Sequence, residues 1–178
     1  MLGSYFVYKP GYRPYIMSEN SIIQGGGSAR NGVANQVQLC PVYLQQAANV
    51  QAMTVALTTG SAGTNCRLGL YRDASGTPAG GALITESSNI SATRAANKRF
   101  VFSSNIRLEP GYVWCAFETQ DSTVAHRGTA NNLLATPSPT LGCVYDTGSF
   151  GNLTNPCPAV SNQPSMAPIF SLVLVEWL

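Results

Sequence analysis

CRLGLYRDASGTPAGGALITESS at residues 66–88 and RFVFSSNIRLEPGYVWCAF at residues 99–117 decide the fold. In the first stretch Cys66, Leu68 and Leu70 alternate with Arg67, Gly69 and Tyr71, the period-two pattern of a strand with two unlike faces. Residues 73–81 then concentrate Asp, Ser, Gly and Pro, each of which favours a turn for its own backbone reason. In the second stretch, Leu108-Glu109-Pro110-Gly111 puts Pro and Gly at the centre of an expected type II turn. Tyr112, Trp114 and Ala116 fall on one face of the strand that follows, and Val113, Cys115 and Phe117 on the other. Both faces are apolar, so this strand is expected at the centre of a sheet and covered on both sides.

The same pattern extends in both directions. Residues 50–59 place Met53, Val55 and Leu57 inward and Thr54, Ala56 and Thr58 outward, while Cys40, Val42 and Leu44 share a face within 33–44. Strand signals recur at 82–86, 98–103 and 140–145. In the last run, 168–178, Val173, Val175 and Trp177 alternate with Leu172 and Leu174, and it is expected to lie between other strands. Residues 147–168 read as a long irregular loop, a feature that is often functional. No segment keeps a helical period. The expectation is an all-β protein: an antiparallel, jelly-roll-like β-sandwich of about seven to nine short strands over residues 33–178.

Residues 1–32 differ from the rest. Tyr5, Phe6, Tyr8, Tyr12 and Tyr15 sit among Pro10, Gly11 and Pro14, with Gly25, Gly26 and Gly27 beyond. Proline disfavours helix and central strand, so an extended N-terminal arm is expected. Tyrosine joins apolar area to a polar tip, which suits an assembly arm docked on a neighbour; the alternative is an edge strand folded onto its own domain.

Composition narrows the function. The 178 residues suit one domain with a proper core. Charged residues make up 10% of the chain, against roughly 25% in an ordinary soluble domain, while 44% hydrophobic content argues against disorder. Sparse charge leaves little self-repulsion, which suits a subunit that packs against copies of itself. A net charge of +2 is too small and scattered for a nucleic-acid groove. The start, MLGSYFVYKPGYRPY, lacks the pattern of a signal peptide, and IFSLVLVEWL falls well short of the roughly 20 apolar residues that cross a bilayer. Synthesis in a cytoplasm and no membrane partner are expected.

The residues offer little reaction chemistry. Five cysteines without a CxxC pair and a single histidine, His126, exclude Cys/His zinc spacings, so no metal and no cofactor are expected. Buried thiols are expected, with a Cys143–Cys157 disulfide as the alternative. A catalytic triad would have to use His126 with Asp121 or Asp146, and no GxSxG elbow is present, so His126 is expected at a surface or interface. Glu118 and Asp121 are the closest carboxylates, without support for glycoside cleavage. Asp73-Ala-Ser-Gly76 supplies one carboxylate, too few for calcium, and is expected as an Asx turn. Tyr71, Tyr112, Trp114 and Trp177 are expected in the core rather than on a sugar platform. Tyr145 and Phe150, among Gly and Asn, are the candidate ligand-loop residues, or else anchors that pin the loop to the sheet.

Four segments carry a resemblance: Thr58-Thr59-Gly60-Ser61-Ala62-Gly63-Thr64, Arg67-Leu68-Gly69-Leu70-Tyr71-Arg72-Asp73, Gly76-Thr77-Pro78 and Leu108-Glu109-Pro110-Gly111-Tyr112-Val113-Trp114-Cys115-Ala116. In this order the chain resembles, over roughly residues 40–120, a β-sandwich domain of bacteriophage virion proteins found in tail fibres and other tail or surface proteins. It departs at Cys115, where an aliphatic residue is usual. A looser similarity is to bacterial surface sandwiches. The resemblance implies a structural or adhesive domain with no catalytic residues. The expected role is a capsid decoration (cement) or fibre subunit in the virion, partnered by other virion proteins and by copies of itself, commonly as a trimer. The alternative is a carbohydrate-binding module that adheres to a host-surface glycan through the loops after residue 120.

Overall fold

The computed structural model describes residues 6–7, 15–17, 28–128, 142–162 and 168–178, and every regular element among them is a strand. The first five are β1 (Phe6–Val7), β2 (Tyr15–Met17), β3 (Ser28–Asn31), β4 (Gln36–Leu44) and β5 (Ala48–Thr59). There follow β6 (Asn65–Arg72), β7 (Leu83–Glu86), β8 (Ile90–Ser91), β9 (Asn97–Leu108) and β10 (Gly111–Thr119). The last four are β11 (Ala125–Gly128), β12 (Cys143–Asp146), β13 (Ser161–Asn162) and β14 (Phe170–Trp177).

These strands make two seven-stranded sheets. One runs β1-β2-β14-β5-β11-β3 with β9 also on β5, and the other β13-β12-β4-β10-β6-β7 with β8 on β6. The paired strands are antiparallel, and from β4 onward the chain crosses repeatedly between the sheets. The result is the β-sandwich that the alternating runs imply.

The inner faces meet as period two dictates. Cys40, Val42 and Leu44 of β4, Leu68 and Leu70 of β6, and Val113, Cys115 and Phe117 of β10 pack against Met53, Val55, Phe170 and Leu172 of the other sheet. β10 lies between β4 and β6, in register Cys115↔Cys40 and Cys115↔Leu70. Its opposite face is apolar too. Trp114 and Ala116 join Val37, Leu39, Tyr71, Cys143, Tyr145, Leu153 and Cys157 in a second buried cluster. Leu153 and Cys157 belong to the segment between β12 and β13, so the irregular loop is the lid of that outer face. β14 lies between β2 and β5, as its apolar run implies.

Three expectations change. The described residues form fourteen strands, more than the seven to nine long enough to read in the sequence, and the surplus consists of pieces of two to four residues, β1, β2, β3, β8 and β13. Such pieces are too short to show a period. The body of the sheet starts at Ser28, ahead of Val33, because β3 pairs with β11 through a ladder its small polar residues do not advertise. The segment 1–32 is also not wholly extended away from the body. Phe6↔Ile16 and Val7↔Tyr15 close a ladder, and β2 pairs with β14 through Ile16↔Leu172.

Candidate functional site

The outer face of the second sheet and its lid gather most of the polar side chains that sequence reading singled out. Arg67 points outward from β6 by alternation with Cys66 and Leu68 and becomes the centre of a latch. Its Nε donates to Asn89 Oδ1 at 2.9 Å, and one terminal nitrogen donates to Asn152 Oδ1 at 2.9 Å and to Glu86 Oε2 at 3.2 Å. Glu86 Oε2 also accepts the Leu153 amide at 2.9 Å, and Phe150 lies over the guanidinium with its ring centroid 6.0 Å from Cζ. Phe150 is half-buried here. Tyr145 is 4% exposed; its hydroxyl lies 2.7 Å from that of Tyr71, which donates to the Thr154 carbonyl at 2.8 Å. Both candidate loop residues are therefore engaged with the sheet. Burial raises both phenols, Tyr145 to about 12.

Glu118 emerges on the same face of β10 and is fully buried. Burial pushes its carboxyl above the ordinary range, against the pull of the Thr147 hydroxyl, the Gly151 amide and Arg67. The Thr147 Oγ1 lies 2.8 Å from Glu118 Oε1 and 2.8 Å from the Asn35 carbonyl oxygen. A hydroxyl has one proton to donate. Thr147 therefore shares its one proton between the Glu118 carboxyl oxygen and the Asn35 carbonyl oxygen. Asp121 belongs to a different set: Oδ1 accepts the Thr123 amide at 2.8 Å and Oδ2 the Ser61 hydroxyl at 2.7 Å, which hold its carboxyl below the usual range. The fold does not bring Glu118 and Asp121 together as an acid/base pair.

His126 corrects the expectation of a surface or interface histidine. It is fully buried on the inner face of β11, edge-on to Phe117 with centroids 5.3 Å apart. The short polar run around it hid this, because the tertiary fold buries β11 without an apolar signal. Nε2 lies 2.7 Å from Gln38 Oε1 on the opposite sheet, and Nδ1 lies 3.0 Å from the Arg127 carbonyl oxygen. Burial lowers its pKa to about 4, so the ring is neutral and has one N–H for two oxygens. Turning the Gln38 amide end for end satisfies the count. Its NH2, which otherwise has no acceptor, then donates to Nε2 while Nδ1–H donates to Arg127. The pair is a polar cross-link between the sheets.

All five cysteines are buried free thiols, so the Cys143–Cys157 disulfide does not form. Burial raises the Cys66 and Cys157 thiols to about 12 and also lifts Cys115 and Cys143, which keeps them out of nucleophilic chemistry. The Asx turn forms as expected, with the Gly76 amide donating to Asp73 Oδ2 at 2.7 Å. Of the arm residues, Phe6 and Tyr15 lie in β1 and β2, and Tyr5, Tyr8 and Tyr12 lie outside the described residues.

One feature was missed in the sequence. Where β9 turns into β10, a cleft of about 280 Å³ opens between that corner and the end of β6. Arg72, Asp73 and Glu109 line it together with Leu108, Tyr112 and Val113. Asp73 Oδ1 accepts the Trp114 indole N–H at 2.8 Å, and Tyr112 is braced by Tyr43, ring centroids 5.0 Å apart. Glu109 is fixed by Arg107 Nε at 2.7 Å. The signal available was that the Asp of the turn and the aromatic strand start lie 39 positions apart yet end neighbouring elements, which requires the β6–β10 pairing to be known. No protein-family model and no curated protein matches this chain.

Proposed function

We propose that this chain is a structural subunit of a tailed bacteriophage particle, a capsid-decoration or fibre component that works by protein–protein assembly rather than by catalysis. What supports this reading is the place of the resembling segments in the fold. Residues 58–64 end β5 and connect it to β6, 67–73 run along the core strand β6, 76–78 follow from the Asx turn, and 108–116 make the corner and the central strand β10. Two of them, β6 and β10, pair directly as neighbours in the second sheet. The residues with potential chemistry serve the structure: His126 ties sheet to sheet and Arg67 ties lid to sheet.

Assembly then falls to the edge of the first sheet, where β1 and β2 extend the ladder beyond β14. Tyr5, Phe6, Tyr8, Tyr12 and Tyr15 cluster in sequence around that edge, and tyrosine-rich segments suit interfaces. Many weak contacts of this kind add up when copies bind together. The full chain is expected to co-sediment with intact particles through a density gradient. A variant lacking residues 1–16 should stay folded by circular dichroism and remain in the free fraction. Particles that carry none of the full-length chain would refute the virion reading, and equal incorporation of the truncated chain would refute the role of the arm.

A further inference from the structure

We propose that the cleft at the β9–β10 corner binds a pyranose, as the terminal or branch sugar of a glycan. A sugar ring has one face of C–H groups and a rim of hydroxyls, and the cleft offers a partner for each. Tyr112 contributes a half-buried ring held in place by Tyr43, while Leu108 and Val113, each 3% exposed and part of the core, only back the cleft. Accessible aromatic surface of this kind suits the C–H face.

The rim is polar and preorganised. Asp73 is fixed by two donors, the Trp114 indole and the Gly76 amide, one to each oxygen. Each carboxylate oxygen accepts more than one hydrogen bond, so Asp73 retains acceptor capacity for a hydroxyl. Glu109 adds an exposed carboxylate that faces Arg107 at 2.7 Å. Arg72 is exposed and has no side-chain partner among the described residues, leaving a fork of donors at the same rim. Acceptors and donors side by side beside an aromatic ring match vicinal hydroxyls, each of which donates and accepts.

Other ligand classes fit less well. Two carboxylates against one free cation disfavour phosphate or nucleic acid. Among the described residues no group of three metal-ligating side chains forms, and both carboxylates already hold donors, which disfavours a divalent cation. A wholly apolar ligand would strip water from the charged rim without replacing its hydrogen bonds. The inference concerns a different surface from the arm and goes beyond the assembly role.

The test is saturation-transfer difference NMR on the full chain with methyl α-glucoside, methyl α-galactoside and N-acetylglucosamine as separate probes at millimolar concentration. Transfer to the ring protons of at least one sugar is expected, with Arg72→Ala and Tyr112→Ala each weakening the apparent Kd fivefold or more. Arg99→Ala, on β9, should leave it unchanged. Thermal unfolding identifies a folding defect in Tyr112→Ala, and Arg72→Ala, an exposed position, decides the matter if one appears. No transfer from any of the three sugars, or transfer of equal strength in Arg72→Ala, would overturn the proposal.

Discussion

At the scale of single residues, the two most informative side chains titrate in opposite senses. His126 is neutral and buried, with its pKa lowered from 6.5 to about 4 by burial. The unfolded chain therefore takes up a proton that the folded chain refuses. The stabilisation is complete above about pH 6.5 and is lost as pH falls toward 4, by about 3 kcal/mol in total. Glu118 is raised by burial, so its contribution is complete below the unfolded carboxyl range and is lost as pH rises through the folded value. Urea titrations from pH 4 to pH 8 should separate them. Glu118→Gln should steepen the net loss of stability on acidification, by removing the opposing limb, and His126→Gln should flatten or reverse it. A pH profile unchanged by His126→Gln would contradict the burial and hydrogen bonding described for that ring. Neither role was legible in the sequence, because both depend on what lies across the sandwich or beneath the lid. Gln38 is 88 positions from His126, and Thr147 is 29 from Glu118.

At the scale of elements, the segment from Asp146 to β13 is a loop by hydrogen-bond pattern and a cover by packing. Its hold on the sheet runs through Arg67, whose side chain is 14% exposed, and through the Tyr71 hydroxyl, which donates to the Thr154 carbonyl. Gly69 makes the approach possible, since a Cβ there would strike the Leu153 side chain. Arg67→Ala should cost about 1–3 kcal/mol, because it removes several charge-assisted hydrogen bonds and leaves Glu86 without its cation. Hydrogen exchange at the Leu153 amide should accelerate at least tenfold, while amides of β10 keep their protection. Lysine at the same position cannot reproduce the fork and should rescue little. Unchanged exchange at Leu153 would show that the lid is held elsewhere. The alternating strands themselves were legible: the facing of Cys66, Leu68 and Leu70, and the two apolar faces of β10, follow from period two alone. Which loop would supply the second cover did not, because a string of Gly, Asn, Thr and Pro carries no periodicity to say where it lands.

At the scale of the whole molecule, a chain with 10% charged residues holds together through two apolar layers rather than through charge. Each layer has its own sulfur atoms. Cys40, Cys66 and Cys115 lie between the sheets, whereas Cys143 and Cys157 lie under the lid. This division makes the protein a built-in gauge of its own opening. An alkylating reagent such as iodoacetamide should add nothing to the native chain, and intact mass should then rise in steps along a denaturant series. An intermediate carrying two adducts, mapped by peptide digestion to Cys143 and Cys157, should precede the fully labelled form, and Arg67→Ala should shift that first step to lower urea. Simultaneous arrival of all five adducts would mean instead that cover and sandwich come apart as a single cooperative unit.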